Sequence, residues 1–232
     1  MIKRVAILGS TGSIGKALLN IIANDKKNFQ IILLTSNKNY KILIKQAKKF
    51  KVKNLIITDF DSYNLAKKIN NNPKIKISDE TDCLLDTGGG IKKIMDENKI
   101  EHVFILNCDN LWEDEDTVFF REMIENFPQD TMSLLALTPK DLISGYDGKG
   151  DFSFTKDDYI QRYNDTTSKG YVFNGAQIIR KEAFKDLKSN VFSINQVWDD
   201  LISKNLIKGY KFNKNVLHLG TTEALKKYDE KL

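Results

Sequence analysis

Cysteine is scarce in this chain. Its two copies, Cys83 and Cys108, stand far apart and form no metal or redox spacing, which argues against a disulfide scaffold or a thiolate metal centre. No apolar run approaches the roughly 18 residues that a membrane-spanning helix needs, so no membrane partner is expected. Neither an internal repeat nor a low-complexity linker interrupts the sequence. The opening Met1-Ile2-Lys3-Arg4 leads directly into a strand pattern, so no secretory leader is expected and the reducing cytoplasm is the expected location. What is present is ordinary for a globular protein: 41% hydrophobic and 29% charged residues. A length of 232 residues suffices for one large α/β domain or two small ones.

Charge is unevenly placed. Residues 1–78 carry 16 Lys/Arg against 3 Asp/Glu, whereas residues 79–232 carry 20 against 28. A basic first third suits an anionic cofactor or nucleic acid. Its lysines, such as Lys41, Lys45, Lys48 and Lys49, are spread through helix-like segments, as on a solvated helix face. Nucleic acid is therefore not an expected partner. The break in charge serves as a boundary signal.

The run Arg4-Val5-Ala6-Ile7-Leu8-Gly9-Ser10-Thr11-Gly12-Ser13-Ile14-Gly15 reads as a strand feeding a glycine-rich turn. The periodic Ala17-Leu18-Leu19-Ile21-Ile22 continues it as a helix. Glycines at 9, 12 and 15 allow a tight turn and a close backbone approach to phosphate, with the helix N-terminus adding positive charge. The spacing is G-x-x-G-x-x-G rather than G-x-G-x-x-G, and a tight turn without a ligand fits it too.

Phe29–Leu34 and Asn54–Thr58 read as further strands, with helices over Tyr40–Phe50 and Ser62–Ile69. This βαβαβ order with short links predicts a parallel sheet. Beyond Ser78, Thr87-Gly88-Gly89-Gly90 precedes an expected helix over Ile91–Asn98. Val103–Asn107 and Met132–Leu137 read as buried strands, with a helix over Thr117–Glu125 between them. Tyr171–Phe173 and Ala176–Ile179 flank Asn174-Gly175, and a last helix is expected from about Thr222.

Residues 1–77 resemble the start of 1-deoxy-D-xylulose 5-phosphate reductoisomerase. The resemblance is carried by Ile7–Gly15, by the turn Ser36-Asn37-Lys38-Asn39 and by Ile57-Thr58-Asp59. It implies that Thr11, Gly12, Ser13 and Ile14 line the phosphates of NADPH. Asn37, Lys38 and Asn39 are then expected beside the ribose 2′-phosphate, where an ammonium favours NADPH over NADH. Asn37 stands where that family usually has glycine. The family's A-N-K-E segment, acidic metal site and substrate-phosphate site have no counterpart downstream, so its isomerisation and hydride transfer are not expected.

Residues 78–232 resemble nucleotidyltransferases acting on sugar 1-phosphates, nearest to N-acetylmuramate 1-phosphate uridylyltransferase and mannose-1-phosphate guanylyltransferase. The matching pieces are Ser78-Asp79-Glu80, Leu85–Gly90, Leu106–Asp109, Gly145–Phe152, Tyr171–Gly175, Phe192–Asn195 with Trp198-Asp199, and Leu219-Gly220-Thr221. The resemblance implies attack of a sugar 1-phosphate on the α-phosphorus of a nucleoside triphosphate, with release of pyrophosphate. It makes Asp109 the catalytic residue, holding Mg²⁺ together with His218. It places Asp86, Gly88, Gly89 and Asn107 at the nucleotide, and Asn174 and Gly175 at the sugar. Cys108 replaces the glycine of the family's N-G-D, Asp86 replaces a glutamate, and His218 stands where a second aspartate is usual. The family's G-x-G-T-R…P-K signature, which grips the triphosphate, is missing, and the Gly9–Gly15 loop occupies its place. Its loss predicts impaired turnover.

The chain therefore reads as a composite joined near Ile75–Thr81, with segments 1–77 and 78–232. The expected fold is α/β with a three-layer, Rossmann-like, mostly parallel sheet, nucleotide-diphospho-sugar transferase-like in its C-terminal two thirds and continuous as one domain. The expected partners are nucleotides and sugar phosphates. The readings are an impaired nucleotidyltransferase-like protein, an NADPH-binding fragment without its catalytic domain, and an inactive chimera or scaffold.

Overall fold

In a computed structural model of the chain, residues 2–79, 85–112, 118–164 and 169–220 are described. Their contacts divide the chain into two units, Met1–Asn98 with Ser189–Phe192, and Lys99–Lys188 with Ser193–Leu232. The expected helix from Thr222, together with Glu80, Cys83 and Thr221, lies outside the described residues.

The first unit alternates strands and helices: β1 (Lys3–Ile7), α1 (Ser13–Asn24), β2 (Phe29–Ser36), α2 (Tyr40–Phe50), β3 (Asn54–Ile57), α3 (Phe60–Ile69), β4 (Lys76–Asp79) and α4 (Asp86–Asn98). The strands pair in parallel in the order β1-β2-β3-β4. Each helix between them buries one apolar stripe, as the 3.6-residue period dictates: Leu19 and Ile22 of α1, Leu43, Ile44 and Ala47 of α2, and Ala66 of α3. They share one core with Leu34, Leu55 and Ile57 of the sheet. Lys51, at φ 57°, ends α2 with a left-handed cap, and Asp59 starts α3 by accepting the Ser62 N–H at 3.0 Å.

α3 starts two residues earlier than expected, at Phe60, and the start of α4 differs further. Thr87–Gly90 does not precede the helix but forms its first turn, which begins at Asp86. Glycine is a poor helix former, yet here contacts from elsewhere override propensity. The N–H groups of Gly88 and Gly89 both donate to the Phe192 carbonyl, at 3.1 and 3.2 Å. That gives the first turn an acceptor it would otherwise lack.

The second unit holds β5 (His102–Leu106), β6 (Asn110–Leu111), α5 (Val118–Glu125), β7 (Ser133–Pro139), β8 (Ile143–Ser144), β9 (Phe152–Phe154), β10 (Ile160–Arg162), β11 (Tyr171–Arg180), α6 (Ile194–Ser203), β12 (Ile207–Lys211) and β13 (Val216–His218). Six strands form one sheet in the order β10-β9-β11-β7-β12, with β5 also on β11, and β6-β13-β8 form a small second sheet. β7 is buried along its whole length, which explains its uninterrupted apolar run. Pairing is mixed: β11 runs antiparallel to β5, β7 and β9, while β7 and β12 are parallel.

The α/β class is as the sequence predicts. Among the described residues the strands form three sheets, with β4 paired to β3 and β5 to β11. Asn174-Gly175 also proves not to separate two strands. β11 runs straight through it, with the register against β7 broken between Phe173 and Gln177 and Gly175 at φ +91°. This is a bulge that glycine accommodates.

Candidate functional site

At the end of β1 the chain turns through Gly9, whose φ of +72° lies in the left-handed region. The Gly9 N–H donates to Thr35 Oγ1 at 2.8 Å, and its carbonyl accepts the Gly12 N–H at 3.0 Å. Ser10 is fully buried. Its N–H donates to the Thr35 carbonyl at 3.0 Å, its hydroxyl to Gln46 Oε1 at 2.8 Å, and its carbonyl accepts Gln46 Nε2 at 2.9 Å. The Thr11 hydroxyl, also buried, pairs with Ser36 Oγ at 2.9 Å. A Cβ on Gly15 would lie 2.5 Å from Ser10 Cα, so helix and loop meet where only glycine fits.

This bracing leaves a row of donors. α1 starts at Gly12 with no side-chain cap and no acidic residue in its first turn. Among the described residues, the N–H groups of Thr11, Ser13, Ile14 and Gly15 find no acceptor. Unpaired N–H groups at a helix start, with the helix dipole behind them, suit an anion. Of the expected phosphate-lining residues, Thr11, Ser13 and Ile14 therefore offer amides, whereas the Gly12 N–H is engaged with Gly9.

The expected 2′-phosphate residues, Asn37, Lys38 and Asn39, form an exposed turn directly after β2. The backbone of that turn is pinned: the Lys38 carbonyl accepts the Tyr40 N–H at 2.9 Å and the Ser62 hydroxyl at 3.2 Å, and the Asn39 carbonyl accepts the Leu43 N–H at 3.0 Å. Parallel pairing of β1 with β2 and the Thr11–Ser36 contact bring turn and loop to the same sheet edge. Hydrogen bonds from Ser62 hold the Asp59 carboxyl below its usual range, with Lys38 adding a smaller effect.

Asp86, Gly88 and Gly89 also belong to the first unit. Asp86 is exposed at φ 59° and accepts the Thr87 N–H. A Cβ on Gly88 would lie 2.5 Å from the Phe192 ring, and one on Gly89 would overlap the Asn190 carbonyl oxygen. Close packing on residues 189–192 thus accounts for both glycines.

The remaining expected residues lie in the second unit, and four of them gather around Asn110. This buried side chain donates from Nδ2 to Asp109 Oδ1 at 3.0 Å, and its Oδ1 lies 3.1 Å from His218 Nδ1. Pairing of β6 with β13 sets His218 opposite Asn110, and the Leu219 N–H donates to the Asp109 carbonyl at 2.6 Å. The Asn107 N–H donates to the Gly175 carbonyl at 2.8 Å, and a Cβ on Gly175 would lie 2.6 Å from Asn110 Nδ2. Asn174 is placed differently: it is fully buried and donates to Thr138 Oγ1 at 3.1 Å. Asn110 thus stands between the two expected metal ligands, Asp109 and His218.

Among the described residues, no group of three or more His, Cys, Asp or Glu side chains gathers as a metal cage. Asp109 fits the part of a single hard carboxylate ligand, of the kind Mg²⁺ shares with waters and substrate phosphates. Asn110, Thr35 and Gln46 did not stand out in the sequence, and Ser36 did so only as the first residue of the Ser36–Asn39 turn. The bulge glycine at 175 was the one visible trace of Asn110, and Thr35 and Gln46 carried no local signal.

Comparison with known proteins gives two different likenesses. Residues 5–105 match the family model of 1-deoxy-D-xylulose 5-phosphate reductoisomerase, so the match runs past the expected boundary at residue 77. The reductoisomerase of Pelagibacter ubique (strain HTCC1062) is 56% identical over 82 residues, 35% of this chain and 21% of that protein. That of Thermoanaerobacter sp. (strain X514) is 45% identical over 62 residues, 27% of this chain and 16% of that protein. The chain thus spans about a fifth of the length of these relatives. By fold the chain is like HddC from Yersinia pseudotuberculosis, with a TM-score of 0.58 at 17% identity over 99% of both chains. HddC complexed with GMP-PN gives 0.56 at 18% identity, also over 99% of both. The chain is therefore composite, reductoisomerase-like in the sequence of its first part and HddC-like in fold along its length.

Proposed function

We propose that the first unit binds NADPH, with the pyrophosphate on the Gly9–Gly15 loop and the 2′-phosphate on the Asn37–Asn39 turn. The observation that carries this is the row of acceptor-free N–H groups at Thr11, Ser13 and Ile14, on a loop tied through Thr11 and Ser36 to the turn that bears Lys38. The likeness of residues 5–105 to reductoisomerases supports it. The loop residues hold and orient the pyrophosphate by N–H donation, and Lys38 supplies the cation for the extra phosphate. The bound cofactor supplies a hydride equivalent. The chain's own residues are assigned binding and orientation, not turnover.

The test is titration of the purified chain with NADPH and NADH. Charge-assisted contacts contribute about 1.5–3 kcal/mol, so Lys38→Ala should weaken NADPH about tenfold or more and leave NADH unchanged. Equal binding of the two dinucleotides by the unaltered chain would sink the assignment of Lys38. Binding of neither would sink the reading as a whole.

The second unit supports a further reading, favoured by the gathering of Asn107, Asp109 and His218 around Asn110. It is that of a sugar-1-phosphate nucleotidyltransferase in which Asp109 binds Mg²⁺ alongside nucleotide phosphates. Its turnover is impaired by the missing triphosphate-gripping arginine and lysine.

A further inference from the structure

We infer that Gln46 is a positioning residue for dinucleotide binding, acting through Ser10 to set the direction of the Thr11 N–H. The inference rests on the NADPH reading above. Gln46 lies on α2, 36 residues from Ser10, and meets it with both ends of its amide: Nε2 to the Ser10 carbonyl at 2.9 Å and Oε1 from the Ser10 hydroxyl at 2.8 Å. A carbonyl oxygen only accepts, so the amide nitrogen must face it, and the hydroxyl then finds the remaining oxygen. Among side chains of this length only a glutamine offers a donor and an acceptor together. Its neighbours Leu43, Ile44 and Ala47 are buried in the core of the unit, which fixes the backbone that presents it.

The consequence for the ligand follows from peptide geometry. The peptide between Ser10 and Thr11 is planar and trans, so its N–H points opposite to its C=O. With the Ser10 carbonyl held by Gln46, the Thr11 N–H is directed away from α2. The Ser10 N–H is already engaged with the Thr35 carbonyl at 3.0 Å, which fixes the peptide plane on the other side of the residue. The next residues are Gly12, where α1 is capped, and then Ser13 and Ile14 with their acceptor-free amides. Gln46 therefore acts on the pyrophosphate end of a dinucleotide. That end is common to NADPH and NADH, whereas Lys38 acts on the one phosphate that distinguishes them.

The experiment uses the full chain, with NADPH and NADH titrated by nicotinamide fluorescence and apo melting temperatures measured beside them. Gln46→Leu should raise both dissociation constants about tenfold, the loss of roughly one well-made contact, and leave their ratio unchanged. Ser10→Ala removes the hydroxyl bond and keeps the carbonyl bond, so it should raise both about threefold. The double variant should bind no worse than Gln46→Leu, because the two side chains act as one unit. Gln46→Glu keeps the size and the acceptor but loses the donor, and should behave like Gln46→Leu. A purely structural role predicts a lower apo melting temperature with unchanged affinity at temperatures well below it, and that result overturns the inference. So does a Gln46→Leu protein that loses NADPH but keeps NADH. Should Gln46→Leu fail to fold, Ser10→Ala and Gln46→Glu decide on the same two readouts. An unaltered chain that binds neither dinucleotide overturns the NADPH reading and this inference with it. Binding by the unaltered chain with no effect of Gln46 overturns this inference alone.

Discussion

Tyr146 gives the second unit its clearest pH-sensitive contact. Its hydroxyl donates to Asp151 Oδ1 at 2.9 Å, and the other oxygen of Asp151 accepts the Phe173 N–H at 2.9 Å. Burial, and then the bond to Asp151, push the Tyr146 hydroxyl up from 10.0 to about 12. Tyr210 is likewise raised to about 12, by burial and then by its bond to Glu122. A raised value means that the fold favours the protonated phenol. Its contribution is complete below the unfolded value of 10.0 and is lost as pH rises through about 12. The melting temperature should therefore fall over that interval, and Tyr146→Phe should make the fall shallower, as followed by melting curves with tyrosinate absorbance. An unchanged slope in Tyr146→Phe would exclude this contact as a contributor. None of this was legible locally: Tyr146 stood out only within the Gly145–Phe152 piece of the resemblance, and its partner's second bond reaches across to β11.

Among the elements, α4 shows how packing can reverse a local rule. Three successive glycines read as a turn before a helix, yet all three lie inside it. The reason differs by position. Gly88 and Gly89 face Phe192 and Asn190 with no room for a Cβ, whereas Gly90 faces open space. Gly89→Ala should destabilise the chain by about 1–3 kcal/mol, the usual range for overpacking. Gly90→Ala should stabilise it by up to about 1 kcal/mol through helix propensity. Denaturant midpoints at unchanged slope would check both signs, and two changes of the same sign would refute the packing account. By contrast α2 was legible end to end, because its apolar period and its boundaries are local properties. β11 was half legible: both of its apolar runs were apparent, but the bulge that joins them depends on its neighbours.

For the molecule as a whole, the two proposed readings predict different nucleotides. The second unit's reading predicts that UTP or GTP with Mg²⁺ raises the melting temperature and that Asp109→Ala abolishes the rise. It also predicts slow pyrophosphate release with a sugar 1-phosphate. Each lost oxyanion contact costs about 10²–10³ in rate, so two missing cations should lower turnover by several orders of magnitude. Release at an ordinary enzyme rate of about 10 s⁻¹ would show that the G-x-G-T-R…P-K signature has been replaced functionally. A shift with NADPH alone would leave the first unit as the sole binding site of the two proposed.

The amino-acid sequence by itself determined the glycine loop, the parallel βαβαβ order of the first unit, the α/β class and the composite character of the chain. These are written in short-range features: β-branched runs, helical periods, and glycines where the backbone must turn or approach closely. Tertiary structure alone decided which donors stay open and which are engaged. Among the described residues, the amides of Thr11, Ser13 and Ile14 find no acceptor, whereas those of Gly88 and Gly89 are taken by Phe192. Gln46 braces Ser10 across 36 residues, and Asn110 meets His218 across 108. A hydrogen bond is satisfied by whichever partner folding brings within about 3 Å. At such separations no local pattern encodes the partner, so the availability of a binding group is a property of the folded chain.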